Sequence, residues 1–363
     1  VLAPALAVAL TTSEAEAAPV LDVDVHTNIA YGPAVPPFTL GNLLDLYVPD
    51  MPGNARRPLV IWTEGCAWFC DNGKEGAAAI ANIFNQEGYA VAGVSVRASF
   101  QAPFPAQLHD VRAAIRWLRD HADDYNLDPN RFAIMGNSSG GWVSAIAGTT
   151  SDIAQLPGEP ATGGTSSAVQ AAVPFFPPTE FLEMNQWYVD NPGVFSFFDH
   201  DAPLAPLPPP PFTWFPPAAS PESLLIGCLD LPTFSLLGIQ TCPAQTQAAN
   251  PISYVEGREV PMLLLHGDND GLVPHGQSEL LYEALADAGN EVTFISVAGA
   301  GHSVSDPTFF SPIIGAQNYT TFHTNRGGHE TISDHPAPTW EDIEHFIHVS
   351  LNRGRGRGGQ CGG

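Results

Sequence analysis

Residues 132–141, Phe-Ala-Ile-Met-Gly-Asn-Ser-Ser-Gly-Gly, constrain the fold of this chain more than any other stretch. An apolar, β-prone run from Phe132 to Met135 enters Gly136-Asn137-Ser138-Ser139-Gly140, and a small-residue helical run from Gly141 to Gly148 follows. Glycines on both sides of Ser138 let the backbone turn sharply and lift one hydroxyl clear of a sheet. A plain Gly/Ser loop could carry the same five residues. It would not need a strand before them and a helix after.

The rest of the chain repeats that strand-to-helix rhythm. Leu43–Val48, Leu59–Thr63, Tyr89–Val96, Val169–Phe175, Pro261–Leu265 and Val292–Val297 read as strands, the last of these as the final one. Helical spacing appears in 75–87, 106–125, 277–288 and 339–351, most clearly through Leu108, Val111, Ala114, Ile115 and Leu118. Strands apolar on both faces and alternating with helices predict an α/β fold with a mostly parallel central sheet flanked by helices. The rhythm breaks in 179–250 and 303–335. The first break is too long for an ordinary loop and is rich in Pro and aromatics, including Pro208–Pro211 and Trp214–Pro217. It reads either as a cap or as a linker between domains; its Trp and Phe density favours a partly ordered cap. The expected organisation is one domain over 19–351 with two insertions, preceded by a leader remnant and followed by a Gly/Arg-rich tail from 352.

The net charge of −25 arises from 13 Lys+Arg against 38 Asp+Glu, with Lys74 the only lysine. Such a surface repels nucleic acid and anionic membranes and suits uncharged substrates. Residues 2–18 resemble the end of a secretory signal, an apolar stretch followed by Ala15 and Ala17 in A-x-A spacing. Five cysteines fit an oxidising compartment. Cys228 and Cys242 flank a hydrophobic segment that a bridge could close, Cys66 and Cys70 are near enough to pair, and Cys361 is left over. Zinc is the competing use of cysteine, but there is no C-x-x-C pair and the histidines are not clustered with the cysteines. Asn318-Tyr319-Thr320 is a candidate glycosylation site, whereas the sequon at Asn137 sits inside the serine turn, where it should be inaccessible.

A serine hydroxyl needs a base within hydrogen-bond reach and a carboxylate to orient that base. His302 lies just past the strand 292–297 in a Gly-Ala-Gly turn, and Asp270 lies past the strand 261–265. Asp268, closer to that strand, reads as a structural acceptor for the loop. Backbone amides of Ser139, Cys66 and Ala67 are candidates for stabilising an oxyanion. Trp68 and Phe176 are expected to line a substrate pocket. No metal or organic cofactor is implied, and a monomer is expected.

At these residues the chain resembles the esterase/lipase branch of the α/β-hydrolases, and within it the BD-FAE-like group of feruloyl and acetyl-xylan esterases. The similar stretches are Phe104–Gln107, Asp110–Leu118 and His266–Pro274, together with the Ser138 and His302 turns. The resemblance implies the α/β-hydrolase fold, Ser138 as nucleophile, Asp270 as acid, His302 as base, and Glu64–Trp68 as the oxyanion loop. Where that branch usually has His-Gly-Gly-Gly-Trp, this chain has Glu64-Gly65-Cys66-Ala67-Trp68, so a Cys66–Cys70 bridge could fix the turn and either Cys66 or Ala67 could donate. The implied function is a secreted serine carboxylesterase acting on short-acyl, acetyl or feruloyl esters of plant cell-wall material, possibly polymeric. A lipase or polyester hydrolase, a prolyl-oligopeptidase-like peptidase and an inactive binding module are the alternatives. Gly359–Gly363 is similar to the opening of a fungal-type cellulose-binding module, although a frayed tail fits the same residues.

Overall fold

The computed structural model describes residues 21–53, 55–160, 163–202, 220–230, 235–303, 319–335 and 338–353. The leader, Pro208–Pro211, Trp214–Pro217, Asn318, Cys361 and the tail from 354 lie outside the described residues.

The strands are β1 (Val23–Ala30), β2 (Leu43–Pro49), β3 (Arg57–Thr63), β4 (Ala90–Val94), β5 (Leu127–Asn137) and β6 (Ala171–Phe175), then the short β7 (Leu229–Asp230) and β8 (Ser235–Leu236). After these come β9 (Met262–Gly267), β10 (Val292–Val297), β11 (Tyr319–Thr324) and β12 (Glu330–His335). Ten of them form one sheet in the order β1-β2-β4-β3-β5-β6-β9-β10-β11-β12, and β7 and β8 pair separately. From β4 to β10 neighbouring strands run parallel, and two antiparallel strands close each side. The expected mostly parallel sheet is therefore present.

The helices are α1 (Ala77–Phe84), α2 (Ala106–Asp120), α3 (Ser139–Thr149), α4 (Met184–Asp190), α5 (Pro221–Ile226), α6 (Pro243–Ala249), α7 (Gly276–Asp287) and α8 (Trp340–Leu351). Alternation along β3 assigns the two faces. Leu59 and Ile61 join Val111, Ile115, Val143 and Leu281 in one buried cluster on the side of α2, α3 and α7. Val60 and Trp62 join Ile80, Phe84, Ile343 and Ile347 in a second, on the side of α1 and α8. Successive side chains of a strand point to opposite faces, so a strand covered on both sides must be apolar throughout.

The expectation that β10 is the last strand is corrected. Residues 319–335 of the second break supply β11 and β12, which extend the sheet antiparallel. Phe322 stacks on Phe294 at 5.8 Å, while most of β12 is exposed. A polar edge strand leaves no apolar alternation to read. β1 is a further strand absent from the sequence reading; Val23, Val25 and Ile29 alternate with Asp24, His26 and Asn28, yet most of its residues face solvent.

Described parts of the first break fold back on the sheet. Thr179 and Glu180 both donate backbone amides to Gln277 Oε1 at 2.7 Å, and Trp142 Nε1 donates to the Ala249 carbonyl at 2.8 Å. Tyr188 Oη donates to the Asp270 carbonyl at 3.2 Å. Disulfides join Cys228 to Cys242 and Cys66 to Cys70.

Two arginines of α2 share one carboxylate beneath the surface. Glu159 Oε1 lies 2.9 Å from Arg112 Nε and 2.5 Å from Arg116 Nη1, and all three side chains are buried. Lys74 is likewise taken up, 2.8 Å from Asp45 Oδ2. Burial alone would raise the Glu159 carboxyl, but the guanidiniums of Arg116 and Arg112 hold it down to about 2. Such a depressed carboxyl stabilises fully above its ordinary range and progressively less as pH falls toward its folded value. Glu159→Gln should lower stability by about 3–5 kcal/mol at neutral pH, because it leaves two guanidiniums buried without an anion. In denaturant titrations the gap to wild type should narrow as the pH is taken from about 5 toward about 2; a gap independent of pH would refute the assignment.

Candidate active site

Ser138 stands in the turn between β5 and α3 with φ 55° and ψ −124°. A residue with a side chain adopts that conformation at a cost of about 1–3 kcal/mol, so its neighbours must enforce it. They do so by close backbone contact. A Cβ on Gly140 would fall 1.9 Å from the Thr63 carbonyl oxygen, and one on Gly65 would fall 2.1 Å from that of Asn137. The turn after β3 and the turn after β5 thus meet where neither has a side chain to keep them apart. The Ser138 amide donates to the Phe175 carbonyl at 3.0 Å, tying the turn to β6 as well.

Asp270 follows β9 and His302 follows β10, each at the same end of the sheet as Ser138. His302 Nδ1 lies 2.6 Å from Asp270 Oδ2, and its Nε2 lies 2.8 Å from Ser138 Oγ. Asp270 Oδ1 accepts the amides of Leu272 and Val273 at 2.8 and 3.0 Å. Its Oδ2 also lies 3.3 Å from Nε2 of the fully buried His266. Burial would push the Asp270 carboxyl up, but the imidazoles of His302 and His266 outweigh it and hold the group well below the usual carboxylate range. An ionised carboxylate only accepts, so the His302 proton sits on Nδ1 and the lone pair of Nε2 faces the serine hydroxyl. Burial lowers the His266 imidazole, against the pull of the Asp270 carboxylate. Asp268 instead accepts the Gly299 amide at 2.6 Å, bracing the turn that leads to His302.

Two side chains beside the serine clamp the facing turn, and sequence reasoning gave them no such role. Asn137 Oδ1 accepts the Gly65 amide at 2.6 Å, and its Nδ2 donates to Glu64 Oε1 at 2.7 Å. Asn137 is buried, which accords with its sequon being out of reach. Ser139 Oγ accepts the amides of Cys66 at 2.9 Å and Trp68 at 3.3 Å. This corrects the expectation for Cys66, whose amide already has an acceptor and is not free to meet an oxyanion. The amides of Ala67 and Ser139 have no acceptor among the described residues. Ala67 and Trp68 both have positive φ, 54° and 57°.

A small cavity of about 50 Å³ opens beside Ser138 and His302. Ala67, Trp68, Leu272, Val273 and Glu222 are in its wall. Trp68 packs edge-on against Trp142 and Phe181, each at 5.7 Å. Phe176 does not line this cavity: it is buried with its ring 4.4 Å from that of His302, so it packs against the imidazole instead of facing substrate. Glu222 was not legible in the sequence because it sits in the first break, which has no period.

The sequence profile of the BD-FAE family matches residues 44–194 and 220–285, more than half of the chain. The chain belongs to the BD-FAE family. Among curated relatives it is 27% identical over 295 residues to esterase LipQ of Mycobacterium tuberculosis, covering 76% of this chain and 56% of that protein. The chain spans about half the length of the curated relatives it matches. Among solved structures, a truncated form of a carbohydrate esterase from gut microbiota superposes with a TM-score of 0.59 at 29% identity, over 77% of this chain and 89% of that one. A bifunctional GH43-CE protein of Bacteroides eggerthii gives 0.64 at 26% identity, over 90% of this chain and 35% of the other. The fold is that of the α/β-hydrolase esterases, as the resemblance implied.

Ser139→Ala removes the acceptor of two amides without touching the Ser138 hydroxyl. It should lower stability by about 1–3 kcal/mol in guanidinium unfolding. A midpoint equal to that of wild type would show that the Glu64–Trp68 turn does not depend on this clamp.

Proposed function

We propose that this chain is a secreted serine carboxylic-ester hydrolase acting on short-acyl esters, best matched by acetyl esters of plant cell-wall carbohydrate. The observation that carries the reading is the unbroken chain of contacts from Asp270 through His302 to Ser138, at 2.6 and 2.8 Å. In this reading His302 Nε2 takes the hydroxyl proton as Ser138 Oγ attacks the ester carbonyl carbon. The resulting oxyanion lies against the amides of Ala67 and Ser139. Collapse breaks the bond to the alcohol oxygen, which leaves with the proton from His302, and the acyl group stays on Ser138. Water, deprotonated by the same imidazole, attacks the acyl-enzyme and releases the acid. Asp270 holds the imidazole in the Nδ1–H tautomer and stabilises its charged form.

The acyl preference follows from size. The cavity beside Ser138 and His302 is small, which in this reading favours a short acyl group. A feruloyl group would have to project from its mouth. The small cavity favours this reading over a lipase, and Phe198, Pro221 and Glu222 of the first break reach its wall. Two disulfides suit an oxidising, extracellular location. Among the described residues no helix is long and apolar enough to cross a membrane.

Ser138→Ala should abolish release of p-nitrophenol from its acetate while circular dichroism stays that of the wild type; retained turnover would remove Ser138 as nucleophile. Asp270→Asn should reduce kcat by about 10⁴, because it reverses the imidazole tautomer. Asp268→Asn should do far less, and the opposite ranking would move the acid to Asp268. Across p-nitrophenyl esters, kcat/KM should fall steeply from acetate to octanoate. A maximum at eight carbons or longer would replace the acetyl preference with a lipase-type pocket.

A further inference from the structure

Apart from His302, the wall of the Ser138 cavity holds one ionisable side chain among the described residues, Glu222. The acyl-transfer steps give it nothing to do. It belongs to α5, in the first break, and its side chain keeps only 4% of its surface. A carboxylate held this far from water, beside a serine that attacks an uncharged carbonyl, costs stability unless its surroundings offset it.

The helix that carries Glu222 is a fixed support. Ser220 caps it by accepting the Ser223 amide at 3.1 Å, Cys228 just past its end is bridged to Cys242, and the Leu225 carbonyl accepts the Phe104 amide at 2.7 Å. The two oxygens of Glu222 are differently placed. Oε2 shares the Ser220 hydroxyl with the His200 carbonyl, at 2.8 and 2.6 Å. Oε1 accepts no hydrogen bond among the described residues, and it is not sealed within the protein. His200 brings Nδ1 to 3.2 Å of it, but neither ring nitrogen of His200 makes a hydrogen bond. The His200 ring lies parallel to that of Tyr188, whose hydroxyl donates to the Asp270 carbonyl, so Glu222 and Asp270 are supported by one set of contacts. One oxygen of a firmly held carboxylate is thus left open on the side of the cavity.

A negative charge at that point acts in two ways. The cavity is small, so a second negative charge beside the ester meets a repulsion that little water is present to screen. An open carboxylate oxygen only accepts, so it favours a substrate that brings an O–H donor to it. An ester with plain alkyl groups feels neither effect.

We propose that Glu222 is a specificity-determining residue, which selects esters carrying a neutral hydroxyl close to the ester group and rejects those carrying a carboxylate there. The role rests on the ester-hydrolase reading, since turnover of an ester is what reports it.

The test compares kcat/KM at about pH 8, where an unperturbed imidazole is neutral, for three acetates of similar size: propyl acetate, 2-hydroxyethyl acetate and O-acetylglycolate. Each value is divided by the rate of that ester with hydroxide, which removes intrinsic reactivity. Methyl butanoate, methyl 3-hydroxypropanoate and monomethyl malonate carry the same groups on the acyl side and tell which side of the ester meets Glu222. In at least one series the wild type should favour the hydroxyl ester over the alkyl ester by about tenfold and disfavour the carboxylate ester by about tenfold or more. Glu222→Gln keeps an acceptor and loses the charge, so it should bring the carboxylate ester to within about threefold of the alkyl ester. Glu222→Leu should remove the hydroxyl preference as well. Thermal unfolding identifies variants that have lost the fold; if Glu222→Gln is one, Glu222→Asp, which draws the charge back by one methylene, decides by a smaller carboxylate penalty. Flat ratios in both series, or ratios unchanged in the folded variants, overturn the role of Glu222 and leave the hydrolase reading standing. Absence of turnover on all six esters overturns both.

Discussion

The structure depends on two turns approaching with no side chain between them. Gly65 and Gly140 leave the turns after β3 and β5 in backbone contact, and at 1.9–2.1 Å no methyl group could be accommodated. That contact lets Asn137 and Ser139, the residues flanking Ser138, reach across and hold the amides of Gly65, Cys66 and Trp68. The positive φ of Ser138 is one side of the arrangement; the positive φ of Ala67 and Trp68 is the other. Each strained turn supports its neighbour, and the sheet register beneath them sets the distance.

The second organising element is Asp270. One oxygen is fixed by two backbone amides of its own loop, and the other faces two imidazoles, one on the serine side and one wholly buried. The acid is thus held by the loop after β9 before His302 arrives, and Tyr188 adds a bond to its carbonyl from the first break. Segments that interrupt the α/β rhythm therefore share in the geometry around the serine.

What could be read from the sequence was whatever has a period or a compact motif. The strands from Leu43 to Val297 alternate or run apolar because both faces of the sheet are covered, and α2 shows its buried stripe at spacings of three and four. Ser138, Asp270 and His302 each follow such a strand, and the structure brings the three together. The roles of Asn137 and Ser139 stayed hidden because they occupy the variable positions of the serine motif and act through bonds to a turn about seventy residues away. Cys66 was misjudged for the same reason: whether an amide is free depends on an acceptor that spacing cannot reveal. Phe176 was misjudged because a strand-end aromatic can face the cavity or the base, and only packing decides. β12 escaped because it is a largely polar edge strand, and Glu222 because the first break offers no register.

The pairing of Lys74 with Asp45 has a consequence for handling the molecule. The chain's single lysine has a side chain that is 13% exposed and an ammonium group bound to a carboxylate, and Arg57, Arg112 and Arg116 are buried as well. Reagents that read lysine, from amine-coupled resins and crosslinkers to fluorescent succinimidyl esters, meet almost no side-chain target on this surface. Among the described residues, Arg56, Arg258, Arg326 and Arg353 are the exposed basic sites left to proteases that cut after basic residues. Immobilisation or labelling of this protein is better directed at its abundant carboxylates.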